Sequence, residues 1–155
     1  MLDANLVSMP IDPNILIKPN PEGNEGSQSN YYAKILRELQ FLTNSSRPNI
    51  AYAVNKLSSY SANLSPQHVG ALKRILKGIK NLGKIYSSNP ENKLRENNLF
   101  YGYVDAMYAN MDDYKSTSGY VFLVGSGAIT WRSKKQTTIA LSSTEAEYIA
   151  LSKAG

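Results

Sequence analysis

The 155 residues include no cysteine and a single histidine, so few groups can carry covalent or metal chemistry. Thiolate catalysis, disulfides and Cys-based metal sites are excluded, and one histidine leaves little scope for a Ser-His-Asp triad. Carboxylates, hydroxyls and basic side chains remain. Two acidic residues stand out. Asp105 ends an apolar, aromatic stretch that reads as a strand, and Glu147 lies about one turn into a later helix. A strand Asp facing a helix Glu can begin a carboxylate cluster that holds Mg2+ for phosphodiester cleavage, because hard cations take oxygen ligands. Each residue also has a plainer reading, Asp105 as a strand-end turn residue and Glu147 as a solvated helix position. The residues alone favour the plainer one.

Other residues compete for attention. Glu145 stands three after Ser142, where its plain role is to accept the N-cap backbone N–H of a capping box. Asp112-Asp113 reads as a turn. His68 falls in the first turn of a basic helix, the usual place of a partly exposed structural histidine. Trp131 stands beside Arg132, Lys134 and Lys135, so a sheet residue could also stack on a base or sugar. Tyr103-Val104-Asp105-Ala106 superficially resembles a Y-V-D-D polymerase hairpin. Ala106 replaces its second Asp, and Met107 to Lys115 is mixed and polar instead of a second apolar strand, which rejects it.

These residues need elements to position them. Residues 1–30 hold four of the seven prolines and read as an extended, flexible lead, with Val7, Ile11, Ile15 and Ile17 able to lie on something else. Residues 31–95 read as helical. Tyr32 to Leu42 has helical apolar spacing, Arg47-Pro48 breaks the chain, and a second helix runs from about Ile50 to Ser61. Ser65 as N-cap with Pro66 behind it opens a third, whose apolar stripe is Val69, Leu72, Ile75, Leu76 and Ile79. Gly78 weakens that helix and Gly83 ends it. Residues 96–155 change period. Leu99–Asp105, Gly119–Val124 and Ala128–Ser133 read as antiparallel strands, with a tight hairpin at Gly125-Ser126-Gly127, and Ser142 opens a last helix. The fold class is α+β.

Charge follows the same division. Residues 31–95 hold eleven Lys/Arg against Glu38 and Glu91, while the flanking segments are slightly acidic. A solvated helical face is the plain account of this. A polyanion partner is the sharper one, since neutralising phosphates releases counterions. Lys73, Arg74, Lys77 and Lys80 of the third helix, together with Trp131, Lys134 and Lys135, are the nucleic-acid-binding candidates. At 42% hydrophobic the chain can bury a core. No apolar run approaches the ~18 residues of a membrane helix and no signal peptide is readable, so an intracellular place, cytoplasm or nucleus, is expected.

Three ordered strings then resemble a known family: Ser116–Phe122 (STSGYVF), Ile129–Gln136 (ITWRSKKQ) and Ala140–Ala150 (ALSSTEAEYIA). They are similar to the ribonuclease H region of copia-type LTR retrotransposon Pol polyproteins. Leu42 to Asn55 resembles the "L-T-x-T-R-P-D-I-A-Y-A-V" segment that follows the reverse transcriptase palm. His68 and Ala71–Leu76 fit the next helix of that family, and Val7–Asp12 its "V-S-T-P-x-D" lead. The resemblance covers nearly the whole chain. It implies a reverse transcriptase tail (residues 31–95, thumb or connection-like) followed by a truncated ribonuclease H-like three-stranded antiparallel sheet plus helix (residues 96–155).

By position, Asp105 matches the family's first catalytic Asp and Glu147 its helix Glu. The resemblance makes both Mg2+ ligands in a site that cuts the RNA strand of RNA–DNA hybrids, which reverses the plainer reading. Departures accompany the match. In "G-Y-S-D-A-D-W-A-G-D" Met107 replaces the second Asp, Tyr108 the Trp, Asn110 the Gly and Met111 the last Asp. The family's third and fourth carboxylates come from elements beyond the matching strings. The expectation is a polyprotein fragment that binds Mg2+ weakly or not at all and is inactive by itself. The alternative is a non-catalytic basic module that binds nucleic acid. The first strand, mid-sheet in the family, would lie at an open edge and invite self-association.

Overall fold

The computed structural model describes residues 10–11, 17–18, 20, 27–79, 100–109, 113–125 and 127–155. They fall into two compact units, Met1–Gly83 and Lys84–Gly155, each taken by itself below. The class is α+β: helices in the first unit, and a three-stranded sheet with one helix in the second.

In the first unit α1 spans Ser27–Ser45, starting earlier and ending later than apolar spacing indicated. Its buried face is Tyr32, Leu36, Leu39 and Thr43, one helical stripe. Pro48 opens a 3-10 turn, Pro48–Ile50, that leads into α2, Ala51–Ser58. α3, Pro66–Gly78, starts from an extended Ser65 with proline at its first position, where no N–H is needed. Gly78 is its final residue, so this glycine sits where a helix ends and costs little. Gly83, Lys80 and Asp112 lie outside the described residues. Ile50, Val54, Leu57 and Ile75 meet α1 in one core, and Ile17 of the proline-rich lead is buried in it. Two tyrosine hydroxyls tie the layers: Tyr60 donates to the Ile17 carbonyl at 3.2 Å and Tyr32 to that of Leu57 at 3.4 Å. Burial pushes the Tyr32 phenol up to about 12.

His68 corrects the sequence reading. It is fully buried, stacked on Tyr60 with ring centroids 4.6 Å apart. A local bond and a tertiary contact combine to bury it. Its Nδ1 accepts the Ser65 backbone N–H at 2.8 Å, so the imidazole plays the part a Glu would play in a capping box. That bond folds the ring back against the helix start, beneath Tyr60.

In the second unit β1 (Phe100–Met107), β2 (Thr117–Val124) and β3 (Gly127–Lys135) form an antiparallel meander in that order. Gly125, at φ +57, opens the β2–β3 turn in a conformation that favours glycine. Ile129 is the extra residue of a bulge, since Phe122 pairs with Thr130 and Leu123 with Ala128. α4, Ser143–Ala154, packs on β1 and β2 through Ala146 and Ala150, both fully buried. Two alanines four apart give a smooth stripe that lets the helix approach closely. Gln136 locks the layers together: its Nε2 donates to Ser118 Oγ and to the Ala146 carbonyl, each at 2.9 Å.

Candidate functional site

β1 runs two residues past Asp105, because pairing with Thr117 and Ser118 carries Met107 and Ala106 into the ladder. Asp105 is therefore inside the strand, with an exposed side chain. In an antiparallel ladder, alternate residues turn their N–H toward the partner strand or away from it. Ala106 turns away from β2. Its N–H is taken by side chains, Asp105 Oδ1 at 2.9 Å and Glu147 Oε1 at 3.2 Å. Glu147, half-buried in the second turn of α4, thus reaches over the edge of the sheet to the same donor as Asp105. Two oxygens at those distances from one nitrogen lie within about 6 Å of each other. The structure brings the two predicted carboxylates together.

The neighbouring acids do other work. Ser142 Oγ accepts the Glu145 N–H at 3.1 Å, the expected N-cap. The Glu145 carboxylate instead accepts from Leu141 N at 2.7 Å, one residue beyond the expected donor. Asp113 pairs with Lys135 at 3.0 Å. Partial burial works against its charge, but the Lys135 hydrogen bond, the Lys115 N–H and both lysine charges outweigh it, holding the carboxyl below its ordinary range. Among the described residues no group of three or more Asp, Glu or His could hold a metal. Asp105 and Glu147 could supply two oxygen ligands to a hydrated Mg2+, which would draw the rest of its shell from water or phosphate, and are too few to hold two ions.

The basic candidates are divided between the two units. On α3, Lys73 and Lys77 are exposed and Arg74 is half-buried. In the second unit Lys134 and Lys135 are successive strand residues, so they leave opposite faces. Lys135 turns to Asp113, while Lys134 lies on the α4 side. Trp131, half-buried, pairs with Val121, which pairs with Tyr103 across the sheet. A cavity between α4 and β2–β3, lined by Arg132, Lys134 and Lys153 among others, was not singled out from sequence. The two-residue step from Arg132 to Lys134 was its only readable sign.

Comparison with known proteins agrees with the motif strings. The chain is 37% identical over 152 residues to the retrovirus-related Pol polyprotein from transposon RE1 of Arabidopsis thaliana, which covers 96% of this chain. It is 36% identical over 129 residues to the Pol polyprotein from transposon TNT 1-94 of Nicotiana tabacum, covering 80%. The chain belongs to the copia-type retrotransposon Pol family. It spans only 10% of the RE1 polyprotein and 9% of the TNT 1-94 polyprotein. It is also 39% identical over 127 residues to secreted RxLR effector protein 161 of Plasmopara viticola, 85% of which it covers. No protein-family model and no solved structure matches. As a copia-type Pol segment, the chain carries its matching strings on β2, on β3 and on α4 with the connector before it. Among the described residues no helix is long and apolar enough to cross a membrane.

Proposed function

We propose that this Pol segment supplies two carboxylates, Asp105 and Glu147, of an Mg2+-dependent site that cuts the RNA strand of an RNA–DNA hybrid in the parent polyprotein. These 155 residues alone engage the hybrid without cutting it. The observation that supports this most is the convergence of both carboxylates on the Ala106 N–H. Bound there, Mg2+ would polarise a phosphodiester and orient the attacking water. Two carboxylates leave most of an octahedral shell to water and phosphate, and do not clamp both the attacking and the leaving oxygen. Labelled hybrid incubated with the full chain and Mg2+ or Mn2+ tests this. The expected result is no cleavage, with Mn2+ broadening NMR signals of residues 104–107 and 145–149, lost in Asp105→Asn and in Glu147→Gln. Cleavage that vanishes in Asp105→Asn, or Mn2+ broadening elsewhere, overturns the proposal.

A second reading, a non-catalytic nucleic-acid-binding module, draws support from exposed Lys73 and Lys77 and from the cations around the α4 cavity. It is favoured if hybrid and duplex bind with a steep salt dependence and neither carboxylate variant changes the affinity. Self-association along β1 is part of the same proposal, supported by a sheet order in which no strand pairs with the outer edge of β1 among the described residues. Sedimentation across a concentration series reads it directly.

A further inference from the structure

The second unit gathers cations around one cavity. Arg132 and Lys134 leave β3 on the α4 side, and Lys153 meets them from the last turn of α4. The cavity holds about 140 Å3. That is far more than the ~10–15 Å3 that admits one water, and less than the ~300–1,000 Å3 of sites for drug-sized ligands. Among the described residues no carboxylate lines it. Lys135 at its rim is neutralised by Asp113, whereas among the described residues Arg132, Lys134 and Lys153 have no ion-pair partner.

Its floor supplies a donor. Buried Gln136 is fixed by its two bonds to Ser118 Oγ and the Ala146 carbonyl. Ser118 Oγ accepts that bond, which leaves its own O–H to donate elsewhere. Tyr120 lies on the same wall. Arg132, Lys134 and Lys153 are exposed at the cavity, and a compact anion with several acceptor oxygens can take hydrogen bonds from all three.

We infer that this cavity is a phosphate site, taking the phosphate of a nucleotide or nucleic-acid strand through Arg132, Lys134, Lys153 and the Ser118 hydroxyl. Only the origin of the phosphate rests on the nucleic-acid reading above. The site is made of different residues from the carboxylate pair, and no metal enters it.

The test is a 15N NMR titration of the full chain with inorganic phosphate in EDTA, at ionic strength matched with chloride. Shifts should concentrate at residues 118–120, 132–137 and 149–153. Affinity should fall at least tenfold in Arg132→Gln/Lys153→Gln, and far less in Arg132→Lys, with Trp131 fluorescence reporting that the sheet is folded. Lys34→Gln, at an exposed position of α1, should leave it unchanged. A 5′-phosphorylated oligonucleotide that binds more tightly than the same strand without that phosphate assigns a strand end. Equal binding lost in the double variant assigns internal phosphates. Shifts no larger than chloride produces, or binding indifferent to Arg132 and Lys153, overturn the inference. Asp105→Asn separates the two readings: it should abolish Mn2+ binding and spare phosphate binding.

Discussion

Gly102 carries the most quantitative prediction, since it sets the strand that presents Asp105. It pairs with Phe122, and a Cβ built on it would lie inside the contact distance of that ring. Moving Phe122 aside breaks its aromatic contacts. It stacks on Phe100 at 5.3 Å with the rings nearly parallel, and touches Tyr120 at 5.7 Å. Gly102→Ala therefore forces the ring out of its place. Overpacking of this kind costs ~1–3 kcal/mol, and the aromatic pairing it disrupts is worth ~0.5–1.5 kcal/mol. A loss of about 2–4 kcal/mol follows, a large part of a small domain's stability. Trp131 is the sole tryptophan and sits in this sheet, so urea denaturation followed by its fluorescence reports the second unit selectively. Phe122→Leu should destabilise by itself yet restore part of the loss in the Gly102→Ala background, a coupling of ~1 kcal/mol or more in a double-mutant cycle. Mn2+ binding should weaken with it, because Asp105 pairs with Gly119 in the same ladder. A Gly102→Ala chain as stable as the parent, or strict additivity with Phe122→Leu, refutes the reasoning.

Three further outcomes are expected. Glu147→Ala leaves the Ala106 N–H with its Asp105 acceptor, so melting should change by less than ~1 kcal/mol while Mn2+ affinity drops at least tenfold; collapse of the sheet would make Glu147 structural. Burial lowers the His68 pKa from 6.5, the Lys18 backbone opposing this in part, so the unfolded chain binds the proton more strongly. Helix stability by circular dichroism should be full above pH 6.5, fall as pH drops below it at up to ~1.4 kcal/mol per pH unit, and lose that slope in His68→Gln. Ser142→Ala removes the acceptor of the Glu145 N–H and should cost ~1 kcal/mol, read by Trp131 thermal melts.

How much of this was legible depended on whether the deciding contact was local. Ser65-Pro66 and Ser142 mark helix starts because capping is settled within four residues, and both helices begin there. Gly125 marks the hairpin for the same reason. The sequence pattern ends β1 at Asp105, since nothing in Ala106-Met107 says that Thr117 and Ser118 will pair with them. For His68 the chain displays only a first-turn helix position, which suits a partly exposed side chain; the Tyr60 ring that covers it belongs to tertiary packing. The carboxylate pair came from family likeness, not spacing. Its geometry depends on which way the Ala106 N–H turns, a property of strand pairing. The cavity draws on β2, β3 and α4, and only the alternation of Arg132 and Lys134 was written locally.

The pairing of Asp105 with Glu147 also bears on why two acids are present. An outward N–H on an edge strand needs one acceptor, and water can serve at little cost. Asp105 Oδ1, at 2.9 Å, already satisfies Ala106. Adding Glu147 brings a second negative charge within about 6 Å of the first. That repulsion is ~0.7 kcal/mol even in fully solvated surroundings and larger where solvent is partly excluded. Edge capping thus explains one carboxylate and is opposed by the other. A divalent cation reverses the balance, because the proximity that costs energy in its absence supplies two anionic ligands in its presence. The sign is measurable: without divalent ions Glu147→Gln should raise or leave unchanged the melting temperature, and with saturating Mn2+ the parent chain should gain stability that the variant does not.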